Sequence, residues 1–326
     1  MTTTVQSVVS DAPTSVLADA KAAPLPEGID LSRRVLRQRR PVQWVLTAIV
    51  LVLAVNFGQT LFSNEAWGWP RFAFWLLNPA VISGLGITLL VTALSAVVSF
   101  LGGIVIALAR LSNNAVLSAA SWLYVWLFRS VPLILVLIFL YNLANLYPKI
   151  GVGIPFGPQL QFTTINILSE ITLGVIGLSL SEIAYSGEVV RAGLLAVDQG
   201  QHEAAKALGI PRQRQFTRII LPQALRTIVP SYVNQVIGLV KSSSLLFYVG
   251  ILDVFGVVQN LGSTFPTDIV PLLVVGAFWY LVVTSAISVV QFYVERHYAR
   301  GALRVLPLTP FQRVRRTVAS FGGGSR

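Results

Sequence analysis

The sequence contains no cysteine, two histidines and few charged residues. The absence of cysteine excludes disulfide bonds, thiol catalysis and thiolate metal sites. The two histidines, His202 and His297, form no His-x-x-x-His zinc pattern, so we predict no metal site. Charged residues make up only 11% of the chain, against about a quarter in soluble domains.

An ATP-binding loop of the Gly-x-x-x-x-Gly-Lys-Ser/Thr type is also missing from the sequence. We therefore predict that the chain is not an enzyme, hydrolyses no ATP and holds no cofactor. An intramembrane enzyme would need a nucleophile with a base, or a metal centre, and two isolated histidines give that reading little support.

The sequence is rich in apolar residues, which account for 54% of the chain and give a mean hydropathy of +0.72. A membrane-spanning helix needs about 20 predominantly apolar residues. We predict an all-α integral membrane protein with six transmembrane helices, at 42–62, 81–108, 118–147, 167–190, 228–249 and 269–293. The third of these is interrupted around Pro132.

The net charge of +11 is unevenly distributed along the chain. Most Lys and Arg residues lie before the first predicted helix, between the fourth and the fifth, or after the sixth. Because short basic segments stay on the cytoplasmic side, we place both termini and the segment 200–222 in the cytoplasm of a bacterial cell, with the chain crossing the plasma membrane several times. Anionic membrane lipid accounts for the basic ends without a nucleic-acid partner.

These patterns divide the chain into four regions. Residues 1–40 are predicted to be a disordered basic cytoplasmic tail, because they are polar and lack apolar periodicity. Residues 41–80 hold one transmembrane helix and an outer loop rich in tryptophan. Residues 81–296 hold the other five helices, and residues 297–326 form a second basic cytoplasmic tail.

The segment 200–222 carries the most specific pattern in the sequence. A helical run that ends at Gly209, with Pro211 close behind, is typical of a helix stop, because Gly accepts a positive φ and Pro cannot continue the hydrogen-bond ladder. A second helical run, at 213–220, is predicted to be closed by Pro222. We therefore predict a short helix, a tight turn and a second short helix.

The spacing in this segment resembles the EAA loop of ATP-binding-cassette importer permeases. That loop has Glu-Ala-Ala, three residues, Gly, nine residues, Ile, one residue and Leu-Pro, which are matched here by Glu203, Ala204, Ala205, Gly209, Ile219, Leu221 and Pro222. The resemblance implies that the loop couples the chain to a separate ATPase. The candidate coupling residues are Glu203, Ala204, Ala205, Gly209 and Pro222.

Further elements extend the resemblance over residues 81–296. They are Gly84-x-x-x-Thr88-Leu89, Phe128-Arg129-Ser130-Val131-Pro132-Leu133, Ala184-Tyr185 with Glu188 and Arg191, Gly200-Gln201-x-Glu203-Ala204-Ala205, and Asn234 with Leu239-Val240-Lys241-Ser242-Ser243-Ser244-Leu245. Together they resemble the polar amino-acid (histidine/glutamine-type) branch. They imply a type I importer core of five spans, to which this chain adds one N-terminal span. Three departures leave the substrate open: Ser242 for Asp, Ser130 for Gly and Asp253 for Glu.

The resemblance also implies partners. They are two ATP-binding-cassette ATPase subunits, a second copy of the permease or a paralogue, and an extracytoplasmic solute-binding protein. ATP is then bound by the ATPase subunits and not by this chain.

Polar residues inside predicted spans are candidates for the substrate pathway, because a charge within the membrane is costly. The candidates are Lys241, Ser243, Glu182 and Arg129. Lys241 either lines the pathway near a substrate carboxylate or has a structural acid or carbonyl partner. Glu182 either meets a substrate ammonium group or pairs with Arg129 or Lys241. Arg129, beside Pro132, either anchors the helix break or contacts the substrate.

Other polar residues of the spans are assigned structural roles. Glu188 is expected to pair with Arg191 near the inner interface, and Asn234 and Gln235 are expected to form hydrogen bonds between helices. Asp253 and Asp268 are placed near the outer mouth and are expected to be solvated.

The sequence therefore predicts the transmembrane subunit of an ATP-driven importer of polar amino acids. Two alternatives remain open: an importer permease for another small solute, and a proton- or sodium-coupled secondary transporter. The second would be favoured by inverted repeats or paired broken helices, and the sequence shows no such repeat.

Overall fold

A computed structural model describes residues 41–154, 157–164 and 169–298. The chain divides after Ser63 into two units. In the first unit, one helix is described: α1, Pro41–Ser63. None of its described side chains is buried, and a helix that is apolar on all sides is suited to hydrocarbon. The tail predicted at 1–40, and residues 299–326 of the second predicted tail, lie outside the described residues.

The second unit consists of helices with short connections and one β-hairpin. It begins with a 3-10 turn, Glu65–Trp67, and continues with α2 Trp69–Leu76, α3 Pro79–Arg110, α4 Ala115–Ser130, α5 Leu133–Tyr141, α6 Leu143–Leu146, β1 Lys149–Gly153, β2 Gln159–Thr163 and α7 Glu170–Leu195. After α7 come α8 Gln199–Ala207, α9 Arg212–Gln215, a π-helix Phe216–Ile220, α10 Leu221–Ser242, a 3-10 segment Ser243–Val249, α11 Val254–Thr264, a 3-10 turn Pro266–Asp268 and α12 Ile269–Tyr298.

The prediction of a helical membrane protein is confirmed, whereas the number of spans is not fixed at six. Within the described ranges, four helices are long and apolar enough to cross a membrane: Val42–Ser63, Pro79–Arg110, Glu170–Leu195 and Pro266–Tyr298. Two bent pairs bring the number to six if each pair is one span. The segment between the third and fourth predicted spans contains the antiparallel hairpin, in which Lys149 pairs with Thr163 and Gly153 with Gln159.

Both bends occur where the backbone cannot continue as a helix. Between α4 and α5 the axis turns by 99°, at Val131 and Pro132. Proline disfavours the helical conformation in the residue before it, and Val131 is extended, with φ −87° and ψ 128°. The second bend, of 45°, lies between the 3-10 segment and α11, where Gly250 has φ +84°. The predicted interruption around Pro132 is thus present.

Two local features differ from the prediction. Helix α11, Val254–Thr264, was not predicted, because its eleven residues are too few for a span and it lies between two longer apolar stretches.

Pro222 does not close a helix. The chain stays helical from Arg212 to Ser242, and Pro222 lies in the first turn of α10, where a missing N–H costs little. A single π-helical turn, Phe216–Ile220, directly precedes α10.

The most extensive packing is between α3 and α7. The two backbones approach closely at Gly103, where a Cβ atom would lie 2.3 Å from Ser186 Oγ and 2.9 Å from the amide nitrogen of Gly187. Small residues allow such approach between membrane helices, where packing rather than water drives association. One buried cluster includes Leu137, Leu178 and Leu246, which join α5, α7 and the 3-10 segment.

Candidate functional site: a helical loop and a cavity at a helix break

The loop between α7 and α10 begins with a capped helix. Asp198 accepts a hydrogen bond from the amide of Gly200 at 2.7 Å, which caps α8. At the other end, Gly209 has φ +63°. The amide of Ile210 donates to the carbonyl of Ala205, and that of Gly209 to the carbonyl of Lys206, both at 3.0 Å. This is a Schellman turn, so the predicted helix stop at Gly209 has its expected geometry.

The two halves of the loop are joined by side-chain contacts. Gln215 Nε2 lies 3.3 Å from His202 Nδ1 and 3.4 Å from the His202 carbonyl oxygen. Ala205 is only 2% exposed and faces inward, whereas Glu203 and Ala204 are exposed. Leu208 is 77% exposed at the tip. The loop therefore holds its own shape and presents a small mixed surface outward.

A second feature is a cavity of about 540 Å³ at the break between α4 and α5. Three parts of the chain form it: the break itself, the middle of α7 and the second half of α10. Its polar lining residues are Arg129, Ser130, Ser181, Glu182, Tyr185, Asn234, Gln235 and Ser242. The extended backbone at Val131 and Pro132 leaves the space that a continuous helix would fill.

The cavity brings together a cation and an anion that form no ion pair with each other. The guanidinium carbon of Arg129 lies 5.4 Å from the ring centre of Tyr185, in a cation–π contact. Glu182 Oε1 is buried and has no hydrogen-bond partner within the described ranges. The alternative in which Glu182 pairs with Arg129 or Lys241 is therefore not seen in that part of the chain.

Asn234 and Gln235 were assigned interhelical hydrogen bonds. Asn234 Oδ1 on α10 accepts one from Gln291 Nε2 on α12 at 3.5 Å, as expected. Gln235 differs. Its Oε1 atom is buried without a partner among the described residues, as Glu182 Oε1 is, and it lines the same cavity. A buried polar atom without a partner is costly, so it marks a place where a ligand or water is accommodated. The sequence shows Gln235 as an amide inside an apolar span, but only the packing of the helices shows where its polar atoms lie.

The other two candidates for the pathway lie elsewhere. Lys241 lines a separate, mostly apolar cavity of about 300 Å³ formed with α11 and α12. Ser243 is fully buried, and its hydroxyl donates to the carbonyl of Val240 at 2.8 Å. The structure thus unites Arg129 and Glu182 and places Lys241 and Ser243 outside their cavity.

The prediction that Asp253 and Asp268 are solvated is wrong. Asp253 is 0% and Asp268 4% exposed. Asp268 accepts hydrogen bonds from Arg71 Nε and from the indole of Trp75, each at 2.9 Å. Asp253 is surrounded by hydroxyl groups. Both aspartates find their partners on helices far away in the sequence, which their position near a predicted outer mouth could not reveal.

The expected pairing of Glu188 with Arg191 is present. Arg191 Nη2 lies 2.7 Å from Glu188 Oε2, and Arg110 Nε lies 3.9 Å from Oε1 of the same carboxylate. Arg110 ends α3, so this cluster ties the ends of α3 and α7 beside the loop that leads to α8.

Comparison with known proteins establishes the family. A family model described as "Binding-protein-dependent transport system inner membrane component" matches residues 99–300. The chain belongs to this family of importer permeases, in which ATP is hydrolysed by a separate subunit. It is an inner-membrane component and not an enzyme, and a proton- or sodium-coupled secondary transporter is not supported.

Individual relatives agree with this assignment. The arginine transport system permease protein ArgU of Corynebacterium glutamicum is 36% identical over 273 residues, covering 82% of this chain and 84% of the relative. The glutamate/aspartate import permease protein GltK of Escherichia coli O6:H1 is 32% identical over 221 residues, covering 68% of this chain and 94% of the relative. A solved structure, "Crystal structure of an amino acid ABC transporter with histidines", is 30% identical, with a TM-score of 0.58, and covers 67% of this chain and 94% of that chain.

Proposed function

We propose that the chain moves a polar amino acid through the membrane and that the cavity between Arg129 and Glu182 is part of its path. The observation that carries this proposal is the buried, unpartnered Oε1 atom of Glu182 in a cavity that also holds a guanidinium group. A free amino acid carries one carboxylate and one ammonium group. The named relatives transport arginine in one case and glutamate or aspartate in the other, which supports amino acids as the class.

The two charged side chains are suited to different ends of the substrate. The planar guanidinium of Arg129 offers a fork of N–H donors to a carboxylate. Glu182 and Gln235 each carry an oxygen, Oε1, that has no partner among the described residues, and such acceptors fit an ammonium group. Lys241 and Ser243 were candidates of the same kind, and their placement outside this cavity favours structural roles for them.

We further propose that the loop 200–222 is the contact for the ATPase. The outward set of Glu203, Ala204 and the 77% exposed Leu208 is a surface without a partner in the described chain. Gly209 shapes the turn beneath it, Ala205 anchors α8 inward, and Pro222 begins the helix that leads back into the membrane. The chain itself is proposed to bind no cofactor, with ATP held by the partner.

We also propose the assembly. A second permease copy or a paralogue lies beside this chain, with one ATPase subunit on the loop of each permease. The hairpin and the loop lie at opposite ends of α7, so a cytoplasmic loop places the hairpin outside, facing an extracytoplasmic solute-binding protein. Both termini are then proposed to be cytoplasmic. The test is a tag on each terminus, which a protease should cleave only from the inner side of the membrane.

The first test is uptake by the complete transporter in proteoliposomes, with its ATPase, its binding protein and radiolabelled arginine, histidine, glutamine and glutamate supplied separately. We expect ATP-dependent uptake of at least one of them. Glu182→Gln removes the negative charge at constant shape, and we expect uptake at low substrate to fall about 10- to 100-fold, because a hydrogen bond to a charged group contributes about 1.5–3 kcal/mol.

Glu170→Gln is the matched control, since Glu170 is a carboxylate on the same helix that is exposed and lies outside the cavity. Its uptake should equal that of the unaltered chain. Absence of uptake for every amino acid, in vesicles whose ATPase is active, would contradict the proposed substrate class. Equal effects of the two substitutions would contradict the role of Glu182.

A further inference from the structure

The Asp253 carboxylate lies at a junction of three helices and the 3-10 segment. It caps α11 by accepting the amide of Gly256 on Oδ1 at 2.8 Å. Its other oxygen, Oδ2, accepts the hydroxyl of Tyr280 on α12 at 2.8 Å. Ser243 Oγ and Thr88 Oγ1 lie 3.4 and 3.5 Å from the same oxygen. Asp253 is fully buried and Tyr280 is half-buried.

A second bond closes the junction from the side of α3. Thr88 Oγ1 accepts the amide of Val254 at 3.1 Å, so one hydroxyl contacts both the backbone and the carboxylate of the turn before α11. Close packing adds to it, since a Cβ atom on Gly84 would lie 3.0 Å from the carbonyl oxygen of Asp253. The turn at 250–253 therefore has one arrangement against α3 and α12.

The same junction lies at the end of a long helical rod. The chain is helical without interruption from Arg212, in the loop, to Ser242. The second half of this rod forms one wall of the cavity through Asn234, Gln235, Gly238, Leu239 and Ser242. The next residue, Ser243, is the one held beside Asp253. One rod therefore joins the loop, the cavity wall and the Asp253 junction.

We propose that Asp253 is a positioning residue that anchors the far end of α10 against α3 and α12. A displacement applied to α10 at the loop then tilts the cavity wall about this fixed end, and without the anchor the rod slides and the wall keeps its position. This inference rests on the proposed function, because it takes the cavity as the substrate path. The anchor acts through the geometry of its hydrogen bonds and not through its charge.

The absence of cysteine from the natural sequence allows a direct test. Ser242→Cys gives this chain its one thiol, on the cavity wall, and the complete transporter is then studied in proteoliposomes, with labelling of this chain resolved from that of its partner subunits. Its rate of labelling by a small maleimide is measured with and without ATP and vanadate, beside uptake per ATP hydrolysed. With Asp253 intact, we expect the labelling rate to differ between the two states by about threefold or more.

The substitution Asp253→Ala should make the two labelling rates equal and lower uptake per ATP hydrolysed at least about fivefold, while ATP hydrolysis continues. Asp253→Asn keeps the shape and the cap and should retain both readouts. Asp268→Asn is the matched control, because Asp268 is as buried but bonds to Arg71 and Trp75 and not to the turn. Native behaviour of Asp253→Ala, or equal damage by Asp253→Asn, overturns the proposal.

Two milder changes keep the test valid if Asp253→Ala fails to insert. Tyr280→Phe removes the hydroxyl contact from α12, and Thr88→Val removes both hydroxyl contacts from α3; each should reduce the state dependence of labelling about twofold. If neither changes it, the anchor is overturned. Protection of the thiol by amino acid reports separately on the proposed function. If the amino acid does not protect the thiol but labelling still differs between the two states, the proposed substrate path is contradicted and the anchor is not.

Discussion

The loop 200–222 and the cavity at the helix break differ in how their polar groups are hydrogen-bonded. In the loop, the turn at Gly209 satisfies its own backbone groups, and what remains outward is a small surface with Leu208 at its tip. In the cavity, Glu182 and Gln235 each bury an oxygen that nothing in the described chain satisfies. A surface with its polar groups satisfied is suited to a protein partner, whereas open acceptors are suited to a polar ligand.

The largest effect is expected from Gly209→Pro, in the loop. Proline fixes φ near −65° and cannot adopt the +63° seen at Gly209, so the turn and the direction of α8 are lost. We expect the ATPase to fail to co-purify and uptake to fall at least about 100-fold, with the chain still inserted in the membrane. Co-purification of the ATPase with the detergent-solubilised chain is the measurement.

Gly209→Asn is the matched control for this change. Asparagine tolerates a positive φ, and a Cβ atom at position 209 would meet no atom within 4 Å. This variant should keep most of the ATPase and most of the uptake. If the proline variant keeps the ATPase, or the asparagine variant loses it as completely, the loop is not the contact or its turn is not what shapes it.

A smaller effect is expected at the cavity from Arg129→Gln. The substitution removes the guanidinium that is proposed to face the substrate carboxylate, at a position outside the loop. We expect uptake at low substrate to fall about tenfold while the ATPase still co-purifies, because a charge-assisted bond is lost on one side only. Arg226→Gln, at an exposed arginine of α10 outside the cavity, should leave uptake unchanged. Loss of the ATPase from the Arg129 variant would show that the two regions are not separable.

The two regions also differ in how far the sequence alone describes them. The turn at Gly209 depends on residues within a few positions of one another, so its pattern is written in one stretch. The cavity depends on where α7 and α10 lie relative to the break at Pro132, and no local sequence pattern specifies that placement. Glu182 and Arg129 were recognised as charges inside spans, but the acceptor at Gln235 and the separate cavity of Lys241 follow only from packing.

Asp253 and Pro222 show the same limit in two further ways. Burial of Asp253 is decided by Thr88 and Tyr280, which come from helices distant in the sequence, so a carboxylate that looked solvated is enclosed. Pro222 looked like the end of a helix because proline stops helices from within. A position in the first turn of α10, directly after a π-turn, removes that conflict, and neither feature is visible in a residue type.

The smallest effect is expected from a substitution in the cavity. Gln235→Leu replaces a buried oxygen without a partner by an apolar group of similar size, so two costs compete. The free chain loses an unsatisfied acceptor and should be stabilised by about 1 kcal/mol, whereas a substrate ammonium group loses one of its acceptors. We therefore expect a higher thermal midpoint together with about a three- to tenfold lower uptake at low substrate. The opposed signs matter, because a merely structural glutamine would lower both quantities together. A change in stability without a change in uptake would leave Glu182 as the acceptor that acts alone.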